Sequence, residues 1–190
     1  IDTIVVHATA SLSARSCINW FINSESKVSA HFVIDKNGDI YHLVPVYKTA
    51  WHAGKCKIPN SNLRSIGIEL VNRNDGLDNY TEIQISRLIK LILYLKSKYK
   101  IKYLYGHYEI SLSGKTDPRG LDMNNLRKIT GLGKIVSKSS DGGVSEGKSD
   151  VSKDIKKTDK SDVLKDSDIK VAKNKVIISQ EKSSNKNSNA

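Results

Sequence analysis

The stretch His31-Phe-Val-Ile-Asp35-Lys-Asn-Gly38-Asp-Ile-Tyr-His-Leu-Val44 decides the class of fold. It holds two short runs rich in β-branched and aromatic residues, and Asn37-Gly38 between them supplies the positive-φ turn of a β-hairpin. Further strands read outward from it. Thr3-Ile-Val-Val-His-Ala8 is a buried strand ending at a histidine, and Tyr103-Leu-Tyr-Gly106 is a short strand ending at His107. Ser65 to Val71 sets Ile66, Ile68 and Leu70 on one side and Gly67, Glu69 and Val71 on the other. Helical patterns fall between the strands. Ser13 caps a run through Phe21, Thr81 to Tyr99 repeats apolar residues at helical spacing, and Asp122 to Ile129 closes the series. Strands interspersed with helices predict an α/β (α+β) domain, a central mixed β-sheet flanked by helices.

Composition divides the 190 residues at Gly131. Residues 1–131 carry every Trp, Tyr, Phe, Pro and Cys, with 18 Lys/Arg against 11 Asp/Glu. Residues 132–190 carry 13 Lys, 9 Asp/Glu and no aromatic residue. A segment without large apolar groups cannot offset its ordering entropy by burial, so a Lys/Ser/Asp-rich disordered tail is expected there. Within it, Val163-Leu164 and Lys170 to Ile178 are the segments able to pair with something on contact. No run reaches the roughly 18–20 apolar residues of a membrane span. Cys17 and Cys56 are read as two thiols rather than a bridge. Since the chain starts at Ile1, it reads as processed or as a fragment, and its compartment stays open between cytoplasm and cell envelope.

All five histidines lie before residue 108. His7 and His107 each end a strand-like run, where a sheet delivers side chains to a shared edge, and ten residues past His107 comes Asp117 in Gly114-Lys-Thr-Asp-Pro118. Two histidines and a carboxylate match an open catalytic zinc site, although two structural histidines satisfy the spacing as well. Glu69 on a β-branched strand reads, unaided, as an acid on a half-solvated face, and Lys115 as one surface lysine among many. His42, in an alternating strand, is expected to face solvent, and His31 to lie in the core or to orient a ligand.

Seven motifs in order narrow these alternatives: Ile4-Val-Val-His-Ala-Thr9, Ser29-Ala-His-Phe-Val-Ile-Asp35, Gly38-Asp-Ile-Tyr-His-Leu-Val-Pro45, Ala50-Trp-His-Ala-Gly54, Ser65-Ile-Gly-Ile-Glu-Leu70, Gly106-His107 and Lys115-Thr-Asp-Pro118. Together, over roughly residues 1–130, they resemble the zinc-dependent N-acetylmuramoyl-L-alanine amidases. This family includes bacterial muropeptide amidases, phage lysins and animal peptidoglycan recognition proteins. The resemblance implies a zinc hydrolase that cleaves the amide between N-acetylmuramic acid and L-alanine in peptidoglycan or muropeptides. Its zinc site sits at one edge of the sheet, with His7, His107 and Asp117 as Zn2+ ligands. Glu69 is implied as the general base on the metal-bound water and Lys115 as the group stabilising the oxyanion. Trp51 and His52 match the stretch flanking the substrate groove, as packing and contact residues or as core tryptophan and satisfied loop histidine.

Departures from the family pattern fall on the groove rim. Ala30 stands where some phage relatives carry a tyrosine near the metal. The loop Ser113-Gly-Lys-Thr-Asp-Pro-Arg-Gly120 lacks the arginine that often precedes the lysine, places Arg119 nearby as a substrate-binding candidate, and is followed by Met123 where an aromatic is frequent. The rival within the same fold is a peptidoglycan-binding module that does not cut. The positive charge also raises nucleic acid as a partner, yet no nucleic-acid motif accompanies it, so none is expected; nor is a membrane span, and a monomer is.

Overall fold

The computed structural model describes residues 1–135 and 164–172. In chain order the elements are β1 (Thr3–Ala8), α1 (Ala14–Ile22), β2 (Phe32–Ile34), β3 (Ile40–His42), α2 (Ser61–Arg64), β4 (Ser65–Leu70), α3 (Glu82–Lys98), β5 (Tyr103–Gly106), α4 (His107–Ile110), α5 (Met123–Thr130) and β6 (Ile169–Val171). Six strands form one sheet in the order β5-β1-β4-β2-β3-β6. The β2–β3 pair is antiparallel and every other neighbouring pair is parallel, so the sheet is mixed as expected.

The hairpin forms with a wider turn than Asn37-Gly38 alone. The Asp35 and Gly38 amides donate to Asp39 O and Asp35 O at 2.9 Å each. Of the two turn residues only Gly38 takes positive φ, at 84°. This is a three-residue loop closed by a left-handed glycine, which sits beneath α3: a Cβ on Gly38 would lie 2.8 Å from Ile83 Cγ1.

Both faces of the central strands are covered, and the two faces differ in chemistry. Ile4 and Val6 of β1, Ile66, Ile68 and Leu70 of β4, and Phe32 and Ile34 of β2 pack with Leu88, Leu91, Ile92 and Leu95 of α3. Thr81 caps that helix by accepting from the Gln84 amide. The Gln84 side chain then donates to Ile34 O and Val71 O, 3.1 Å each, tying the ends of β2 and β4 to the helix. On the opposite face Val33 and Val71 meet Ala14 and Cys17 of α1, while Val5 meets Tyr105 and Ile110. His7, Gly67 and Glu69 emerge from this second face, between the two small clusters. The roughly 25 cal/mol per Å² of apolar burial that holds the domain is thus concentrated under α3, which leaves the other face for polar groups.

Two expectations require correction. His42 does not face solvent. It shares a side of β3 with fully buried Ile40, stacks on its cross-strand partner Phe32 with ring centroids 4.5 Å apart, and keeps a buried Nε2. Nor is residues 132–190 uniformly without structure, because 164–172 belong to the domain. Leu164 is buried in the main core, β6 pairs with β3 through Ile40↔Ile169, and Lys170 pairs with Asp39 at 2.6 Å. Tyr94 of α3 donates to Asp166. Without β6, strand β3 would be a bare edge presenting unpaired backbone groups. The remainder of the expected tail lies outside the described residues. Cys17 is buried and Cys56 half-buried, and both are free thiols. No helix among the described residues is long and apolar enough to cross a membrane.

Candidate metal centre and groove

Three parallel strands deliver the centre to their carboxyl ends. His7 is the penultimate residue of β1, Glu69 the penultimate residue of β4, and His107 follows directly on β5. Asp117 comes from the loop after α4, which is held from two sides. The Tyr108 amide donates to Asp117 O at 2.8 Å, and Asn74, beyond the end of β4, donates to Thr116 Oγ1 at 3.0 Å and accepts from the Arg119 amide at 2.7 Å. The turn carrying His107 is fixed by Glu109, which accepts from the Gly106 amide and forms a two-pronged ion pair with Arg127 of α5 at 2.9 and 3.1 Å. Asn74, Glu109 and Arg127 carried no signal in the sequence, because their partners come from distant segments.

His7, His107 and Asp117 converge. Their donor atoms lie within 4.8 Å of one another, with His7 Nδ1 at 3.3 Å and His107 Nδ1 at 3.1 Å from Asp117 Oδ2. Both imidazoles are buried and the Asp117 side chain is 14% exposed. Burial lowers the His7 pKa, although Asp117 opposes this. Burial would raise the Asp117 pKa, but the two imidazoles beside it outweigh this and hold the carboxyl well below the usual carboxylate range. Two imidazole nitrogens and a carboxylate turned toward one point suit a borderline dication such as Zn2+ with a position left open. The far nitrogens are engaged as such a site requires: His107 Nε2 lies 3.2 Å from Ala53 O, and His7 Nε2 lies 2.9 Å from His52 Nδ1.

Glu69 is not on a solvated face. It is 9% exposed, and its Oε2 is buried with no hydrogen-bond partner. Burial, reinforced by the Asp117 charge and opposed by Lys115, pushes its pKa up to about 8. The half-solvated reading failed because the face of β4 that carries Glu69 is flanked by the α1 cluster and by the Tyr105–Ile110 cluster, so β4 is buried along its whole length.

A groove of about 580 Å³ opens over these groups. It is lined by the triad, Glu69 and Lys115, and by Trp20 and Phe21 of α1 together with Trp51 and His52. Trp51 is 57% and Trp20 55% exposed, so neither is a core tryptophan. His52 meets the groove through its ring alone, since both nitrogens are bonded within the protein, Nδ1 as above and Nε2 at 3.2 Å from Ser65 Oγ. Arg119 does not line this groove. Its side chain lies over Gly76 and lines a neighbouring cavity of about 370 Å³ between α3 and α5. His31 is a core residue, accepting from the Gly67 amide at 3.0 Å and lying 3.1 Å from Lys48 O.

The N-acetylmuramoyl-L-alanine amidase family model (Amidase_2) matches residues 1–120. The chain belongs to this family. The amidase domain is 38% identical over 99 residues to the 1,6-anhydro-N-acetylmuramyl-L-alanine amidase AmpD of Escherichia coli K12, covering 48% of this chain and 52% of that protein. It is 34% identical over 91 residues to N-acetylmuramoyl-L-alanine amidase A of Achromobacter lyticus, covering 47% and 48%. The chain thus spans about half the length of the curated relatives it matches. Among solved structures, the amidase AmiD of E. coli in complex with anhydro-N-acetylmuramic acid-L-Ala-D-gamma-Glu-L-Lys superposes with a TM-score of 0.61 at 28% identity, covering 73% of this chain and 60% of that one. AMPDH3 of Pseudomonas aeruginosa in complex with an anhydromuramic pentapeptide gives 0.60 at 28% identity, covering 70% and 60%.

Proposed function

We propose that this amidase-family chain is a zinc hydrolase that cleaves the amide between the lactyl group of N-acetylmuramic acid and L-alanine of the stem peptide. The observation that carries the reading is a buried carboxyl without a partner, Glu69, beside a buried His7/His107/Asp117 cluster on the floor of an open groove. The relatives are named as amidases of this bond, and two of the superposed structures hold anhydro-muropeptides.

Zinc held by His7, His107 and Asp117 would supply Lewis-acid polarisation of the amide carbonyl and would acidify a water. The protein's own groups do the rest. Glu69, with an oxygen free of other hydrogen bonds, takes the proton of the attacking water as its oxygen bonds to the carbonyl carbon. The same carboxyl returns a proton to the departing L-alanine nitrogen as the C–N bond breaks. Lys115, exposed on the groove and close enough to influence both His7 and Glu69, faces the oxygen on which negative charge develops. Trp51 offers an apolar face to the sugar or peptide. Arg119 is assigned to parts of the substrate that reach beyond the groove into the adjoining cavity.

The test is incubation of the chain with defined muropeptides, both reducing and anhydro, followed by mass spectrometry, with chelator and then with zinc restored. Release of the free stem peptide that is lost on chelation and regained with zinc is the expected result. Binding of muropeptide without peptide release would replace this reading with a recognition module of the same fold.

A further inference from the structure

We propose that the Trp51–Gly54 loop orients both histidine ligands of the metal site, through the His52 imidazole for His7 and the Ala53 carbonyl for His107. This rests on the reading of His7, His107 and Asp117 as ligands and assigns a positioning role to His52 and to Asn62, which holds the loop.

Hydrogen-bond polarity carries the argument. Ala53 O can only accept, so His107 Nε2 carries a hydrogen, and in the neutral ring Nδ1 turns a bare lone pair toward Asp117. For His7 the same outcome is imposed through a longer chain. The Ser65 hydroxyl spends its hydrogen on Ser61 O at 2.5 Å, so at 3.2 Å it accepts from His52 Nε2. His52 packs edge-on against His7 and His31, and with its Nε2 hydrogen directed at Ser65 it presents Nδ1 to His7 as the accepting nitrogen. That Nδ1 accepts from His7 Nε2 at 2.9 Å, which leaves His7 Nδ1 bare and facing Asp117. One main-chain carbonyl on α2 thereby fixes the tautomers of two histidines in series.

The surroundings are shaped for this. The His52 ring lies over Gly67, midway along β4 between Ser65 and Glu69, where a Cβ would fall 2.5 Å from the ring. Asn62 Oδ1 accepts from the amides of both His52 and Ala53, at 3.0 and 2.8 Å, and so holds the two orienting groups in one register. Ser61 and Asn62 lie on α2, immediately before β4 delivers Ser65, Gly67 and Glu69. Groups that orient metal-bound histidines typically change metal affinity by about 10–100-fold when removed.

The experiment measures zinc affinity of the whole chain by competition with a chromophoric chelator, alongside the histidine tautomers of the zinc-loaded protein from long-range proton–nitrogen NMR. His52→Leu and Asn62→Ala should each weaken zinc binding about 10–100-fold. His52→Asn, whose Oδ1 falls where Nδ1 was, should stay within a few-fold of wild type. The wild-type spectrum should show His52 with a bare Nδ1 and a protonated Nε2. Wild-type affinity in His52→Leu, equal loss in His52→Asn and His52→Leu, or a hydrogen on His52 Nδ1 would each overturn the proposal. The spectrum decides even where a variant does not fold. A wild-type chain that takes up no zinc would instead overturn the metal reading itself, which separates the two failures.

Discussion

His7 and Glu69 are register partners across the parallel strands β1 and β4, so the ligand and the buried acid leave the same face of the sheet on adjacent strands. Strand pairing places them about 4.8 Å apart along the hydrogen-bonding direction, with no loop to adjust the spacing. The cost falls on Glu69, whose burial and nearness to Asp117 push its pKa up to about 8. A folded-state pKa above the unfolded 4.5 means stability present below pH 4.5 and lost as pH rises through about 8. Metal-free Glu69→Gln should therefore melt about 2–8 °C above metal-free wild type at pH 8. The gap should close toward pH 5, while amide hydrolysis drops by about 10²–10⁴. Calorimetry over pH and a cleavage assay check both halves, and a wild type that melts higher at pH 8 would contradict the burial argument.

Lys115→Met should lower kcat by about 10²-fold with KM little changed, since a charge that meets only the developing oxyanion contributes to the transition state and not to ground-state binding. Its exposure predicts a melting temperature within the error of wild type. Steady-state kinetics on a defined muropeptide make the check, and a pure KM effect would move Lys115 from catalysis to binding.

His31 gives the fold an acid-side limit. Burial depresses its pKa to about 4, against the weaker effect of its bond to Lys48 O, and only the unprotonated Nδ1 can accept from the Gly67 amide. The unfolded chain binds the extra proton first, so this contribution is whole above pH 6.5 and is lost as pH falls through about 4. The full loss is of order 3 kcal/mol. Denaturant unfolding of the metal-free chain between pH 7 and 4 should show the decline, with a shallower one in His31→Gln.

Gly67→Ala should cost about 1–3 kcal/mol, since the added methyl meets the His52 ring, which has β4 below it and two hydrogen bonds to keep. Chemical denaturation measures this, and the same variant should weaken zinc uptake. An unchanged stability would mean that the ring shifts freely.

Leu164→Ala should destabilise the domain by about 2–5 kcal/mol although the residue lies 33 positions past Gly131, because its side chain is 4% exposed in the main core. Truncation before Leu164 should lower the melting temperature further by baring β3, yet leave amide cleavage in place, since β6 lies at the opposite edge of the sheet from β5. Thermal melts of the two chains test this.

Much of the architecture was legible because local patterns carried it. The hairpin around Gly38, the capped helices after Ser13 and Thr81, and the strands ending at His7 and His107 all follow from period, caps and turn residues. The candidate ligands and Glu69 were legible through a family resemblance, whereas their spacing alone left a structural reading open. His42 was misjudged because alternation states that one side of β3 is buried and not which; the buried Ile40 beside it settles that only after the strand is docked. The segment 164–172 was misjudged because its composition is that of a solvated tail, and the apolar contacts of Leu164 and Ile169 become worthwhile only beside the edge that β3 presents.

The sequence by itself determined most of the strands and the longer helices, and it marked a few side chains as candidates for a metal and a proton transfer, because backbone preference and side-chain type are local properties. The tertiary structure alone decided that Glu69 is buried without a partner, that His52 turns its nitrogens to His7 and Ser65, and that Arg119 lines a neighbouring cavity. Each of those depends on a segment distant in the chain, and burial and hydrogen-bond polarity exist only once such segments have been brought together.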